Sequence, residues 1–198
     1  MSLNNNIFKE ISLDEEASIW KGKLPIQFDV FLNDFDEIWN LHPQDFHLVR
    51  MFGKMIPTPR WQQAYGKNYE YSGSLNNALP IPDFLNSIHK WCKSNIDERL
   101  NGLLINWYDG EQNHYIGAHR DDEKDIIKDS VIVTISLGEE RIFRMRPWKK
   151  KGFKDLLLAK GDIIILPMSV NSKWTHEVPN FNKYKGRRIS ITLRVFNN

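Results

Sequence analysis

Cysteine is nearly absent from this 198-residue chain, where Cys92 stands alone. A lone thiol excludes an intrachain disulfide and any cysteine-rich zinc cluster, and it fits a reducing, intracellular setting. Long apolar runs are missing too. No stretch approaches the roughly 20 residues of a membrane helix, and Met1 to Asn6 is polar rather than signal-like, so no membrane association is expected. Charge of one sign is also scarce. With 27 Lys and Arg against 25 Asp and Glu, the formal net charge is +2, so any nucleic-acid footprint must be local rather than a property of the bulk. No internal repeat, low-complexity tract or linker divides the chain, and a single domain over residues 1–198, acting as a monomer, is the expectation.

What is present is a core. At 41% apolar and 12% aromatic content, a chain of this length can bury enough surface to fold without staples. Between Asn33 and Leu41, Phe35, Ile38 and Trp39 recur at helical spacing and Pro43 closes the segment. A second helix opens at Pro82, and Phe84, Leu85, Ile88, Trp91, Cys92 and Ile96 give it one apolar face. From Gly102 onward the pattern changes to short apolar or alternating runs: Leu103 to Tyr108, Val131 to Leu137, Arg141 to Met145, Leu156 to Leu158, Ile163 to Leu166 and Ile189 to Phe196. Turn signals such as Asp109-Gly110 and Lys160-Gly161-Asp162 separate them. The expected class is α+β, mainly β: a double-stranded β-helix, or jelly roll, with flanking helices. Residues 101–198 form its core, and residues 1–100 supply an N-terminal extension, supporting helices and a lid.

The chemistry-bearing residues cluster late in the chain. His119 and Asp121 are two apart, so on extended backbone both side chains face one way while Arg120 faces the other. His176 follows from another strand. Two imidazoles and one carboxylate occupy one face of a metal and leave the remaining positions open, the arrangement of non-haem Fe(II) oxygenases. Further on, Arg188, Ser190, Thr192 and Arg194 share one parity of a strand whose other face carries Ile189, Ile191, Leu193 and Val195. A half-buried arginine needs an anion, and planar guanidinium suits a carboxylate. A dicarboxylate cosubstrate fits that requirement. His42, His47, His89 and His114 lack partners at ligand spacing and read as structural or solvated.

Taken in order, Asn106-Trp107-Tyr108, His119-Arg120-Asp121-Asp122-Glu123, Ser136-Leu137-Gly138, Gly161-Asp162, Trp174 with His176, and Arg188 through Arg194 resemble the AlkB family of iron- and 2-oxoglutarate-dependent dioxygenases. The stretch Phe52-Gly53-Lys54, Pro59-Arg60, Tyr65-Gly66, Tyr69 and Tyr71-Ser72-Gly73 is most similar to the branch that acts on duplex DNA. The resemblance implies Fe(II) held by His119, Asp121 and His176. It implies 2-oxoglutarate held by Asn106, Tyr108, Arg188, Ser190 and Arg194, with Arg188 and Tyr108 at the distal carboxylate. It further implies that O₂ and 2-oxoglutarate are converted to succinate and CO₂ while a methyl on a base nitrogen is hydroxylated and leaves as formaldehyde.

An alkylated base of the 1-methyladenine or 3-methylcytosine type lies inside the duplex and must be extruded to react. By the same resemblance, Tyr69 and Tyr71 on a hairpin lid face the flipped base, and Asp122 and Glu123 complement its positive charge. Phe52 enters the base stack, with Gly53, Lys54 and Arg60 as further DNA contacts. Lys149, Lys150, Lys151, Lys154, Lys183, Lys185 and Arg187 are the cations available to phosphates. Three other readings use the same residues: an RNA or single-strand demethylase, a non-catalytic jelly-roll module that holds methylated nucleic acid, and a zinc hydrolase. The last leaves Arg188 and Arg194 without a role.

Overall fold

The computed structural model describes residues 3–71, 73–121 and 124–197, less the side chains of Val30 and Tyr71. The chain opens with a hairpin, β1 (Phe8–Ser12) and β2 (Ser18–Lys23), followed by two short helices, α1 (Asp29–Asn33) and α2 (Phe35–Trp39). A second hairpin, β3 (Leu48–Met51) and β4 (Lys54–Pro57), precedes β5 (Trp61–Tyr65), and a third pairs β6 (Tyr69–Tyr71) with β7 (Ser74–Asn76). Helix α3 (Asp83–Asn95) leads into β8 (Gly102–Asp109), β9 (Ile116–His119), β10 (Val131–Gly138), β11 (Arg141–Pro147), β12 (Lys154–Leu158) and β13 (Asp162–Pro167). A single turn, α4 (Met168–Asn171), then joins β14 (Trp174–Val178), and β15 (Arg187–Arg194) closes the fold.

Two antiparallel sheets make the jelly roll. The larger runs β1-β2-β13-β10-β15-β8-β5 and the smaller β12-β11-β14-β9. The N-terminal hairpin extends the larger sheet: Gly22 of β2 lies opposite Ile163 of β13. Each central strand of the larger sheet is buried on both faces, which is why these runs read as nearly continuous apolar stretches. The odd rows, such as Leu103, Ile105, Trp107, Val133, Ile135, Ile189 and Ile191, meet the helices. The even rows turn inward toward the smaller sheet, where Leu104, Tyr108, Ile132, Phe143, Met145, Ile164 and Trp174 pack together. The face of β15 read as charged is therefore also interior: Arg188, Ser190, Thr192 and Arg194 are all buried.

Helix α3 supplies the lid of the outer core. Pro82 takes extended backbone just before it, and Leu85, Ile88 and Cys92 are fully enclosed. Burying Leu85 and Ile88 contributes about 1.5–3 kcal/mol each. The helix read between Asn33 and Leu41 is shorter, a single turn and a half from Phe35 to Trp39. Trp107 reaches across from β8 and donates its indole N–H to the Ile38 carbonyl at 2.9 Å, satisfying the polar atom of a buried ring. At the β10–β11 turn Gly138 has φ +80°, and a Cβ there would sit 2.3 Å from the Arg187 carbonyl, so neither strain nor space admits a side chain.

Two hairpins, β3–β4 and β6–β7, stand outside both sheets. The first ends in a two-residue turn, with Met51 paired to Lys54 and both Phe52 (φ +49°) and Gly53 (φ +78°) left-handed. That is the turn whose twist matches a hairpin. A phenylalanine in this conformation costs about 1–2 kcal/mol, and here its ring is 98% exposed.

Candidate active site

Three side chains that could hold a metal, His119, Asp121 and His176, come together. His176 in β14 lies directly opposite His119 at the end of β9, so one ladder places the two imidazoles side by side with centroids 4.3 Å apart. The strand ends at His119, and Asp121 follows two residues beyond it. Its Oδ1 stands 3.7 Å from His119 Nε2 and 3.8 Å from His176 Nε2. One donor atom from each residue lies within 4.8 Å of the others. His119 Nδ1 donates to the Gly117 carbonyl at 2.8 Å, which fixes the tautomer and leaves the Nε2 lone pair facing the carboxylate.

Asp121 is held from three directions. Asn171, at the end of α4, accepts from the Asp121 amide through Oδ1 at 2.9 Å and donates through Nδ2 to the Asp121 carbonyl at 3.1 Å. Arg120 donates to the Ser172 carbonyl at 2.9 Å, tying the same segment to the end of α4. Arg194 donates Nε to Asp121 Oδ2 at 2.5 Å. Burial pushes the Asp121 carboxyl upward, but Arg194 and the two imidazoles outweigh it and hold the group well below the usual carboxylate range. Burial, aided by His119, lowers His176 to about 3, and enclosure lowers His119 as well. Two neutral imidazoles and one anionic carboxylate are the donor set a divalent iron requires.

Beside this cluster the barrel interior forms a chamber lined by Asn106, Tyr108, Thr134, Arg188, Ser190, Thr192 and Arg194. Arg188 is fully buried. Its Nη2 donates to Ser136 Oγ at 2.8 Å, and its guanidinium lies 5.2 Å from the centre of the Tyr108 ring. Its Nε and Nη1 are buried with no hydrogen-bond partner among the described residues. Burial drives this guanidinium down to about 10, opposed by Tyr108. A deeply enclosed cation with donors still unspent fits an anionic carboxylate. The sequence separation predicts some 20 Å between the Arg188 and Arg194 backbones along an extended strand, yet both side chains line this one chamber.

Outside lies a groove of about 960 Å³ whose lining runs from Val49, Met51 and Ile56 of the β3–β4 hairpin past Tyr69 and His119 to Trp148. Tyr69 is buried, with Arg194 over its ring at 4.7 Å, and it lines both chamber and groove. Phe52, Gly53 and Lys54 are exposed. The Tyr71 side chain, Asp122 and Glu123 lie outside the described residues. Arg60 departs from its expected place. Instead of reaching outward it is 4% exposed and donates Nε to Asn106 Oδ1 at 2.7 Å. Arg60 stands immediately before strand β5, which pairs with β8, and that pairing brings its side chain against Asn106. Among the basic residues, Arg187 is paired with Asp36 and Lys154 donates to the Ser12 carbonyl, whereas Lys149 to Lys151 occupy the exposed turn after Trp148. The histidines read as structural are engaged in that way: His42 stacks on Trp61 at 4.1 Å, His114 accepts from the Asp109 amide, and His89 meets the Leu100 carbonyl.

Residues 35–194 match the family described as the 2OG-Fe(II) oxygenase superfamily. The chain belongs to that superfamily. Membership brings Fe(II) as cofactor and 2-oxoglutarate and O₂ as cosubstrates, and the donor set and buried arginine described above suit them. Among curated proteins, this oxygenase is 31% identical over 157 residues to the DNA oxidative demethylase ALKBH2 of Homo sapiens, covering 74% of this chain and 60% of that protein. It is 31% identical to the Bos taurus ALKBH2, spanning 56% of its length. The alkB homolog 3 dioxygenase of Rattus norvegicus is 30% identical over 153 residues, with 70% of this chain and 50% of that one covered. The AlkB resemblance read from the motifs is borne out by these relatives, of which the oxygenase spans only about half to three fifths. The solved structure of OsALKBH1 superposes with a TM-score of 0.59 at 15% identity, over 94% of this chain and 99% of that one, and shares the jelly-roll fold.

Proposed function

We propose that this oxygenase removes methyl groups from the Watson–Crick nitrogens of bases in duplex DNA, of the 1-methyladenine or 3-methylcytosine type, and releases formaldehyde. The observation that carries the reading is a groove that runs from Met51, next to the 98% exposed hairpin tip Phe52, to His119 and Asp121 of the metal-ligating cluster. A flipped nucleotide needs both, one to fill the gap it leaves and one to receive it. ALKBH2, to which the chain is 31% identical, is named as a DNA oxidative demethylase, in keeping with this assignment.

His119, Asp121 and His176 hold Fe(II), and Arg188 with Tyr108 receives the distal carboxylate of 2-oxoglutarate while Ser190 lines the same chamber. Asn106 and Arg194 orient the end nearest the metal. Iron, keto acid and O₂ together supply the oxidising power that places a hydroxyl on the methyl carbon. Loss of the N–C bond then yields formaldehyde and the restored base. Arg60 takes a supporting part, because its N–H occupies the Asn106 carbonyl oxygen and so turns the amide nitrogen toward the chamber. Tyr69 and Tyr71 bracket the base, Asp122 and Glu123 meet its cationic edge, and Phe52, Gly53 and Lys54 engage the opened stack.

The test is formaldehyde release from oligonucleotides carrying either lesion, as duplex, single-stranded DNA and RNA, with and without 2-oxoglutarate. Duplex-preferring, 2-oxoglutarate-dependent release supports the assignment. Preference for RNA or single strands replaces the substrate, and binding of methylated DNA without any release replaces the enzyme with a binding module.

A further inference from the structure

Both hairpins over the groove are two-stranded and outside the barrel sheets, a form that is marginal on its own in water. A buried polar chain connects them to the barrel. Gln62 of β5, 3% exposed, donates Nε2 to Asn76 Oδ1 at 2.8 Å. Asn76 of β7, 5% exposed, donates Nδ2 to His47 Nε2 at 3.2 Å. His47 sits immediately before β3, and its carbonyl accepts from the Thr58 amide just after β4 at 2.8 Å. One amide therefore touches the barrel edge with its oxygen and the root of the Phe52 hairpin with its nitrogen, while its own strand belongs to the hairpin that carries Tyr69.

We propose that Asn76 is a positioning residue that locks the Phe52 and Tyr69 hairpins to the barrel edge as one rigid reader of the substrate. This rests on the demethylase reading above, since it gives the two hairpins a common task. The chemistry of the links is directional. Gln62 can only donate from Nε2, and Asn76 can only donate from Nδ2, so His47 must present a bare Nε2 and carry its proton on Nδ1. Burial and the Arg60 charge both disfavour the imidazolium, in keeping with a neutral ring there. In an enclosed network each link is costly to leave unmade, because the abandoned partner stays desolvated. None of the three residues lines the inner chamber, so loosening them should disturb substrate reading and leave the keto-acid reaction running.

The experiment compares wild type with Asn76→Leu, which keeps the volume and removes both links, in the full chain. Three quantities are read: 2-oxoglutarate consumed without DNA, formaldehyde released per succinate on methylated duplex, and backbone amide exchange. The expected result is unchanged uncoupled consumption, an about tenfold fall in formaldehyde per succinate with a raised KM for DNA, and faster exchange confined to β3–β4 and β6–β7. Should Asn76→Leu fail to fold, the partly exposed end of the chain gives the same test. There His47→Leu lowers coupling and His47→Gln, whose side-chain oxygen accepts the same hydrogen bond, restores it. Wild-type coupling in Asn76→Leu, or equal coupling in His47→Leu and His47→Gln, overturns the proposal. Failure of the wild-type protein itself to release formaldehyde would instead remove the demethylase reading on which it stands.

Discussion

The two oxygens of Asp121 face different partners: Oδ2 accepts from Arg194 Nε at 2.5 Å, and Oδ1 faces both His119 and His176. One oxygen is thus committed to an arginine that keeps the carboxylate ionised, and the other is left to a metal. Asp121→Ala removes both and should abolish succinate formation. Arg194→Lys retains a positive charge but offers a point donor in place of a planar fork. It should bind Mn(II) more weakly than wild type in a spectroscopic titration. Full succinate production by Asp121→Ala would disprove the metal assignment.

Asn171 makes a further claim on the same residue. Its side chain brackets the Asp121 peptide from both sides, so Asn171→Ala should leave Asp121 present but loosely aimed. A loss of about 10–100-fold in metal affinity is expected, as for other residues that support a ligand from behind. Thermal shift on adding Mn(II), measured against the metal-free variant, separates this effect from a general loss of stability.

Phe52 carries backbone strain while its ring stands out in solvent. Phe52→Asn should raise the melting temperature, by up to the equivalent of about 1–2 kcal/mol, because asparagine accepts left-handed backbone more readily. The same change should depress turnover on methylated duplex more than on methylated single strand. A variant that is more stable and equally active on duplex would leave the exposed ring without a function.

Away from the site, Arg144 grips Asp155 with two parallel bonds of 2.6 and 2.7 Å. The Arg144 hydrogen bond lowers the Asp155 carboxyl despite its partial burial. A carboxylate depressed in the folded state contributes stability above its unfolded value, and the contribution fades as pH falls through the folded one. Asp155→Asn should therefore be less stable than wild type at pH 7, by about 0.2–1 kcal/mol for a pair this exposed. The gap should close as the pH drops below about 4, a trend that paired thermal melts across pH would show.

The sequence spoke most clearly where one local rule decided the outcome. Leu103 to Tyr108 and Val131 to Leu137 became β8 and β10 because strands buried on both faces carry little polar interruption, and Pro82 marked the start of α3 where its missing N–H costs nothing. His119 and His176 were readable as ligand types, yet only the β9–β14 register brings them face to face. Asn171 and Arg60 gave no such sign. Their partners stand 50 and 46 residues away, and a lone asparagine or arginine looks the same whether it faces water or orients an active-site residue. Helix α2 is shorter than its apolar spacing suggests, because after Trp39 the chain passes into turns closed by Leu41 to Ile38 and His42 to Trp39 hydrogen bonds.

Cys92 lies wholly enclosed on the buried face of α3, and burial pushes its thiol up to about 12. At neutral pH the protein therefore presents essentially no thiolate, the form that electrophiles and peroxides attack. A protein whose cosubstrate is dioxygen gains from that concealment. Its sole sulfhydryl stays inert while the chemistry proceeds on the far side of the sheet.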